Sequence, residues 1–190
     1  MFNYFFKNLN TLFLTCALAF ISIANAQEVR VIDNKGTIDT ILKQTTAERY
    51  DTNGEVEITN NGLIIPFNAP GIIDLNDYTT TINSITIKKA GTYRVTYRVT
   101  AQITSGESRS GTEYRLLKTD EDGDISVVPG SYSAAYHRIV NRGKNTASAS
   151  RILVLEKDDK LTVRGNRYAG NSTVKTVAHG SSFLVERMIK

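Results

Sequence analysis

Ser84–Ile103, SITIKKAGTYRVTYRVTAQI, decides the fold. The stretch reads as two strands parted at Ala90-Gly91, where glycine permits the tight reversal that the following strand needs. From Tyr93 to Ile103 every second residue is apolar or aromatic: Tyr93, Val95, Tyr97, Val99, Ala101 and Ile103. Between them stand Arg94, Thr96, Arg98, Thr100 and Gln102. Side chains in a strand alternate faces, so this strand buries one side and wets the other. It belongs to a half-exposed antiparallel sheet of a β-sandwich, and it contains no catalytic group.

Outward from this stretch, turn signals recur at short intervals and separate short β-branched runs, with no long segment of helical period, which predicts an all-β sandwich or barrel. On the N-terminal side, Val29–Ile32 reads as a short strand closed by Asp33-Asn34-Lys35-Gly36. Ile38, Ile41 and Leu42 sit at helical spacing within Thr37–Tyr50, which predicts a short helix or a stalk-like linker there. Asp51-Thr52-Asn53-Gly54 punctuates, and Glu55–Phe67 reads as a hairpin turning at Asn60-Asn61-Gly62, since Asn-Gly tolerates positive φ. On the C-terminal side, Glu113–Lys118 and Ile125–Val128 flank Asp120-Glu121-Asp122-Gly123-Asp124 as a second hairpin. Tyr132–Val140 follows, then Thr146–Glu156, whose Ile152-Leu153-Val154-Leu155 is the most apolar run and is expected in the core. Leu161–Arg164 and Ser181–Ile189 complete the strands, with Phe183, Val185 and Met188 as inward residues of the last.

Lys7 precedes an apolar run, Leu12–Ile23, that ends in Ala24-Asn25-Ala26, the pattern of a secretory signal peptide cut after Ala26. That run is well short of the roughly 20 residues a membrane-spanning helix requires. Cys16 follows Phe13-Leu14-Thr15, which does not resemble a lipobox. The expected organisation is a signal peptide over 1–26, an N-terminal extension or stalk over 27–54, and one sandwich domain over 55–190. The mature chain is expected outside the cytoplasm, in the periplasm, on the cell surface or released, with no membrane span. Its one cysteine goes with the leader, so neither disulfides nor thiolate metal sites contribute, and stability must come from the core. The formal charge of +4 is spread among interspersed acids and bases, which argues against nucleic acid as partner, because a phosphate-binding surface needs a concentrated basic stripe.

Candidate chemical sites are few. Asp120, Asp122 and Asp124 alternate in a loop and offer oxygen ligands to Ca²⁺, but an EF-hand needs glycine at its sixth position and glutamate at its twelfth, where this chain has Ile125 and Ser131. A solvated Asp-Gly turn is the simpler reading. His137 and His179 are the two histidines, far apart and with no cysteine to complete a zinc site. Ser181 and Ser182 lie near His179, yet neighbours in a strand face opposite ways, and nothing sets the separation of Glu113 from Glu156 as a glycosidase pair. No catalytic residue, cofactor or metal is assigned.

Three segments together carry a family resemblance. Ile85-Thr86-Ile87 with Ala90-Gly91-Thr92-Tyr93-Arg94-Val95-Thr96-Tyr97 resembles the strand, x-G-x-Y, strand segment of the C1q/tumour-necrosis-factor-like jelly rolls. Ile152-Leu153-Val154-Leu155 with Asp158-Asp159-Lys160-Leu161-Thr162-Val163 is similar to the family's L-x-x-G-D-x-L-x-V hairpin, with Asp158 in place of its glycine. Phe183-Leu184-Val185 resembles the final strand, including that of bacterial members such as exosporium collagen-like glycoproteins. No collagen-like stalk precedes the domain.

The resemblance implies an antiparallel jelly-roll β-sandwich of the C1q/TNF-like type behind a short N-terminal extension. It further implies a non-enzymatic homotrimer serving recognition, adhesion or surface structure, with a protein or glycan ligand. Tyrosine suits surfaces with one wet and one dry side, so Tyr97, Tyr114 and Tyr136, with Phe183, are the expected trimer contacts. The loops Gln102–Gly111 and Asn166–Thr173 would present the recognition surface. The alternative is a monomeric carbohydrate-binding sandwich in which Tyr132, Tyr136 or Tyr168 stacks on a sugar ring, against which the absence of tryptophan counts.

Overall fold

The computed structural model describes residues 29–32, 38–41, 44–106, 109–138, 140–141 and 143–188. The expected signal peptide over 1–26 and the turn expected at Asp33–Gly36 lie outside them. Two units divide the chain between Lys43 and Gln44. In the first, β1 (Val29–Ile32) pairs antiparallel with β2 (Ile38–Ile41), Val29 opposite Ile41 and Ile32 opposite Ile38.

The second unit is a sandwich of two antiparallel sheets. Its strands in chain order are β3 (Thr46–Asp51), β4 (Leu63–Ile64), β5 (Ala69–Ile73), β6 (Tyr78–Thr80), β7 (Ile85–Ile87), β8 (Gly91–Ser105) and β9 (Ser110–Thr119). They continue as β10 (Ile125–Val127), β11 (Ser133–His137), β12 (Asn145–Leu155), β13 (Lys160–Ala169), β14 (Thr173–Thr176) and β15 (Ser181–Met188). One sheet runs β12-β8-β15-β3-β5, with β14 also on β8, and the other runs β10-β9-β13-β7-β6, with β11 on β9 and β4 on β13. The chain crosses repeatedly from one sheet to the other, which is the winding of a jelly roll.

The core follows from alternation. Tyr93, Val95, Tyr97, Val99, Ala101 and Ile103 of β8 are all buried, as the sequence predicts. They meet Phe183 and Val185 of β15 in register, Phe183 opposite Tyr97 and Val185 opposite Val95. From the facing sheet come Tyr114 and Leu116 of β9, Leu161 and Val163 of β13, and Ile85 and Ile87 of β7. Phe67 packs on Phe183 with ring centroids 5.6 Å apart, and Tyr78 meets Tyr93 edge-on at 6.1 Å. Each such side chain removed from water contributes roughly 1.5–3 kcal/mol, and without disulfides this burial carries the fold.

Four sequence readings are corrected. Within the stretch read as a short helix or stalk-like linker, the described residues form β2 and most of β3, and β3 is an interior strand between β15 and β5, reaching into the span read as an N-terminal extension. Its inward residues after Ala47 are Arg49 and Asp51, which hides the apolar alternation. Both are satisfied internally: Arg49 donates to the Phe67 carbonyl at 2.8 Å and to the Thr80 hydroxyl at 3.0 Å, while Asp51 accepts the Gly54 amide at 2.9 Å. The turn at Asn60-Asn61-Gly62 forms, but its arms do not pair with one another. Glu57 bridges to Lys175 of β14 and Ile58 donates to Val174, whereas β4 pairs with β13 in the other sheet. Finally, Ile152-Leu153-Val154-Leu155 is not a core run. It alternates on the edge strand β12, burying Leu155 and leaving Ile152 60% and Val154 74% exposed. Met188 likewise falls on the parity opposite to Phe183 and Val185, across from Thr92.

Candidate functional site

The outer face of the sheet formed by β11, β9 and β13 gathers side chains that no single segment of sequence places together. Tyr114 lies opposite Ser133 on one side and Gly165 on the other, all inward, so the alternate rows face solvent. One outward row is Ala134, Glu113 and Asn166, and Arg115 stands directly opposite Arg164 in the next. The row beyond the first holds Tyr136 opposite Gly111.

Here the register of β13 shifts. Arg167 faces Thr112 and Ala169 faces Gly111, which leaves Tyr168 as the extra residue of a bulge. A bulge re-aims a side chain, and the Tyr168 ring lies over Gly111, where an added Cβ would come within 2.4 Å of its Cζ. Tyr132, just before β11, has its ring 5.6 Å from the Arg115 guanidinium carbon. Tyr132, Tyr136 and Tyr168 are each about half exposed. Partial desolvation, then the Glu113 carboxylate and the Tyr168 phenol beside it, push the Tyr132 phenol above its usual pKa.

Beside the tyrosines lies a groove of about 230 Å³ lined by Asn60, Glu113, Arg115, Leu117, Val127, Arg164 and Asn166. Like charges directly opposite across an antiparallel pair destabilise it, so the Arg115–Arg164 pair is held by other contacts. Arg115 donates to Glu113 Oε1 at 3.1 Å, and the Asn166 amide reaches the same oxygen at 3.4 Å. Arg164 donates to the Asn61 carbonyl at 3.2 Å and rests against Gly62, whose φ of +74° suits glycine and where a Cβ would come within 2.7 Å of Arg164 Nε. The Asn60-Asn61-Gly62 turn thus seats one of the two guanidiniums.

Of the expected trimer contacts, Tyr97, Tyr114 and Phe183 are buried inside the sandwich and have no surface to offer another copy. Tyr97 finds hydrogen-bond partners there, and the amphipathic character that suggested an interface is used up within the core. Tyr136 alone of the four lies on an outer face, with Tyr132 and Tyr168. Sequence reasoning missed Arg115, Arg164 and Asn60, while Asn166 opened an expected recognition loop; the outward arginines of β9 and β13 were visible, but only strand register sets them opposite each other.

The remaining candidates are not brought into sites. Asp120 caps its own turn, accepting the Asp124 amide at 2.9 Å, and among the described residues no group of three or more His, Cys, Asp or Glu is placed to hold a metal ion. His137 is buried with Nε2 3.0 Å from the Thr112 hydroxyl, and His179 is exposed in a turn at φ +59°. Ser181 is buried with its hydroxyl 3.2 Å from the Thr100 amide. Glu113 stands on the outer face of β9 and Glu156 in the turn after β12. Residues 102–105 of the first expected loop continue β8, and residues 166–169 of the second continue β13, Tyr168 being its part of the face above. Among the described residues no helix is long and apolar enough to cross a membrane.

No family model matches the sequence, and no curated protein matches it. The backbone is similar to murine APRIL at pH 8.0, with a TM-score of 0.57 and 11% identity over 77% of this chain and 100% of that one. It is also similar to the Eiger TNF of S. frugiperda, with a TM-score of 0.55 and 15% identity over 78% of this chain and 95% of that one. For the globular domain of zebrafish complement 1qA the values are 0.50 and 14%, over 77% and 97%. At these identities the likeness speaks for the fold, a jelly-roll β-sandwich of the C1q/TNF-like type.

Proposed function

We propose that the chain is a secreted, non-enzymatic binding module that assembles as a homotrimer and takes its ligand on the outer face of β9, β11 and β13. One observation carries the ligand reading: Tyr132, Tyr136 and Tyr168 converge beside a groove lined by two cross-strand arginines. Flat rings and forked donors suit recognition, and the face brings together no nucleophile, base and orienting acid. Secretion rests on the Lys7, Leu12–Ile23, Ala24-Asn25-Ala26 pattern.

Assembly is supported by a different surface. Ile152 and Val154 point out of the edge strand β12, and in the same sheet Leu184 faces outward opposite Thr96. Exposed apolar residues along an edge are what a subunit contact covers. Light scattering on the chain from Gln27 tests this: a mass of three chains is expected, and a single-chain mass overturns the trimer. The second reading, a monomeric carbohydrate-binding sandwich, is favoured by the same tyrosine face and would then stand alone. Replacing Tyr132 and Tyr168 by alanine is expected to abolish ligand capture in either case; undiminished capture would remove the face from the reading.

A further inference from the structure

We infer that the groove between Arg115 and Arg164 takes a carboxylate-bearing saccharide, a uronic-acid unit of an acidic glycan. The inference rests on the binding-face reading above and names the ligand's class.

The charge balance comes first. The groove holds two guanidiniums, Arg115 and Arg164, and one carboxylate, Glu113, which is already engaged by Arg115 and by the Asn166 amide. Arg164 meets only a backbone carbonyl among the described residues, that of Asn61. The side chains therefore leave one positive charge over, matched by one carboxylate and poorly by a dianion, which Glu113 would repel. Guanidinium is planar and presents paired donors that fit a carboxylate edge-on.

Size and polar equipment point to a sugar as the carrier. At about 230 Å³ the groove is smaller than the roughly 300–1,000 Å³ of pockets for drug-sized ligands, so it holds one ring of a longer chain. Asn60 and Asn166 line it with amides, each both donor and acceptor, which is what neighbouring hydroxyls require. Beside it the exposed rings of Tyr132 and Tyr168 provide flat faces for the C–H side of the next ring.

The parts are also held in place before any ligand arrives. Gly62 and the Asn61 carbonyl fix Arg164, the bulge and Gly111 fix Tyr168, and Arg115 is set over the Tyr132 ring. Preorganisation of this kind lowers the entropic cost of binding.

The test is calorimetric titration of the purified protein with galacturonate, glucuronate and mannuronate oligosaccharides, with their neutral methyl esters, and with a sulfated oligosaccharide of equal length. At least one uronate should bind, its methyl ester about tenfold or more weakly, and Arg164→Gln should weaken the uronate by a similar factor while leaving the thermal midpoint in place. If methyl esters bind equally well and Arg164→Gln changes nothing while Tyr168→Ala abolishes binding, the acidic class is wrong and the binding face stands. Tighter binding of the sulfated compound overturns the carboxylate. If no saccharide of any kind binds the folded protein, the inference falls and the glycan reading of the face falls with it.

Discussion

The phenol of Tyr97, on β8, reaches across the core to the backbone carbonyl of Tyr114, on β9 of the facing sheet, at 2.9 Å. The Ser131 carbonyl lies at 2.5 Å and the Ser133 hydroxyl at 3.0 Å, so the one phenolic proton serves the carbonyls while Ser133 can donate in return. Tyr97→Phe keeps the ring and removes the crossing. It is expected to cost about 1–2 kcal/mol in urea unfolding with an unchanged m-value, because buried carbonyls lose their donor. A stability equal to the parent's would show that the crossing contributes nothing.

His137 predicts a loss of stability on mild acidification. Burial lowers its pKa below the ordinary 6.5, and its Nδ1 has no partner among the described residues. Below about pH 6.5 the unfolded chain takes up a proton that the fold resists, so stability falls with pH until the folded pKa is reached, by at most about 1.4 kcal/mol per pH unit. His137→Gln should flatten unfolding free energy between about pH 6.5 and 5, a window above the ordinary carboxylate range. An unchanged slope in that variant would assign the acid sensitivity elsewhere.

Asp77 governs a lower window. It is buried, lies 2.5 Å from Lys89 and 3.7 Å from Arg187, and accepts the Thr45 hydroxyl at 2.7 Å. Burial raises its pKa, but Lys89, Thr45 and the Arg187 charge outweigh that and hold it below 3.8. Its contribution is therefore complete above about pH 3.8 and is lost as pH falls through the lower folded value. Asp77→Asn should cost roughly 1–3 kcal/mol at neutral pH, read by chemical denaturation, and the difference from the parent should shrink in strong acid.

Gly111→Ala separates the face from the fold. The added methyl collides with the Tyr168 ring, the far end of a half-exposed side chain that can swing into water. Stability should change by less than about 1 kcal/mol, while ligand capture falls as far as in Tyr168→Ala. Undisturbed capture would show that the ring position over Gly111 is irrelevant to binding.

Ile152→Lys combined with Val154→Lys should reduce a trimeric mass to that of one chain with the β-sheet circular dichroism intact, since both side chains stand in solvent in the isolated sandwich. If the double variant keeps the parent's mass, this edge is not a subunit contact.

The sequence made β8 legible because its inward positions from Tyr93 to Ile103 are an uninterrupted apolar alternation, β15 legible through Phe183 and Val185, and the β9–β10 hairpin legible through its Asp-Gly turn. It concealed β3, whose inward Arg49 and Asp51 are polar groups satisfied by distant partners. It misled at β12, where consecutive apolar residues imply full burial but the strand is an edge with one face open. For the proposed binding face, each tyrosine could be suspected singly. That Arg115 and Arg164 oppose one another, and that Tyr168 is turned by a bulge, depends on the register of β9 with β13, which local pattern does not encode.

The turn at Asn60-Asn61-Gly62 has one arm on β14 and the other on β13, partners more than a hundred positions downstream of it. Apart from the Gly62 amide, which donates to the Thr59 carbonyl at 3.3 Å, its arms are held by strands of both sheets, so their docking depends on contacts of long sequence separation. Because this clasp also seats Arg164, the groove is complete only when β13 and β14 are both in place, and capture of the proposed ligand would report a completed fold.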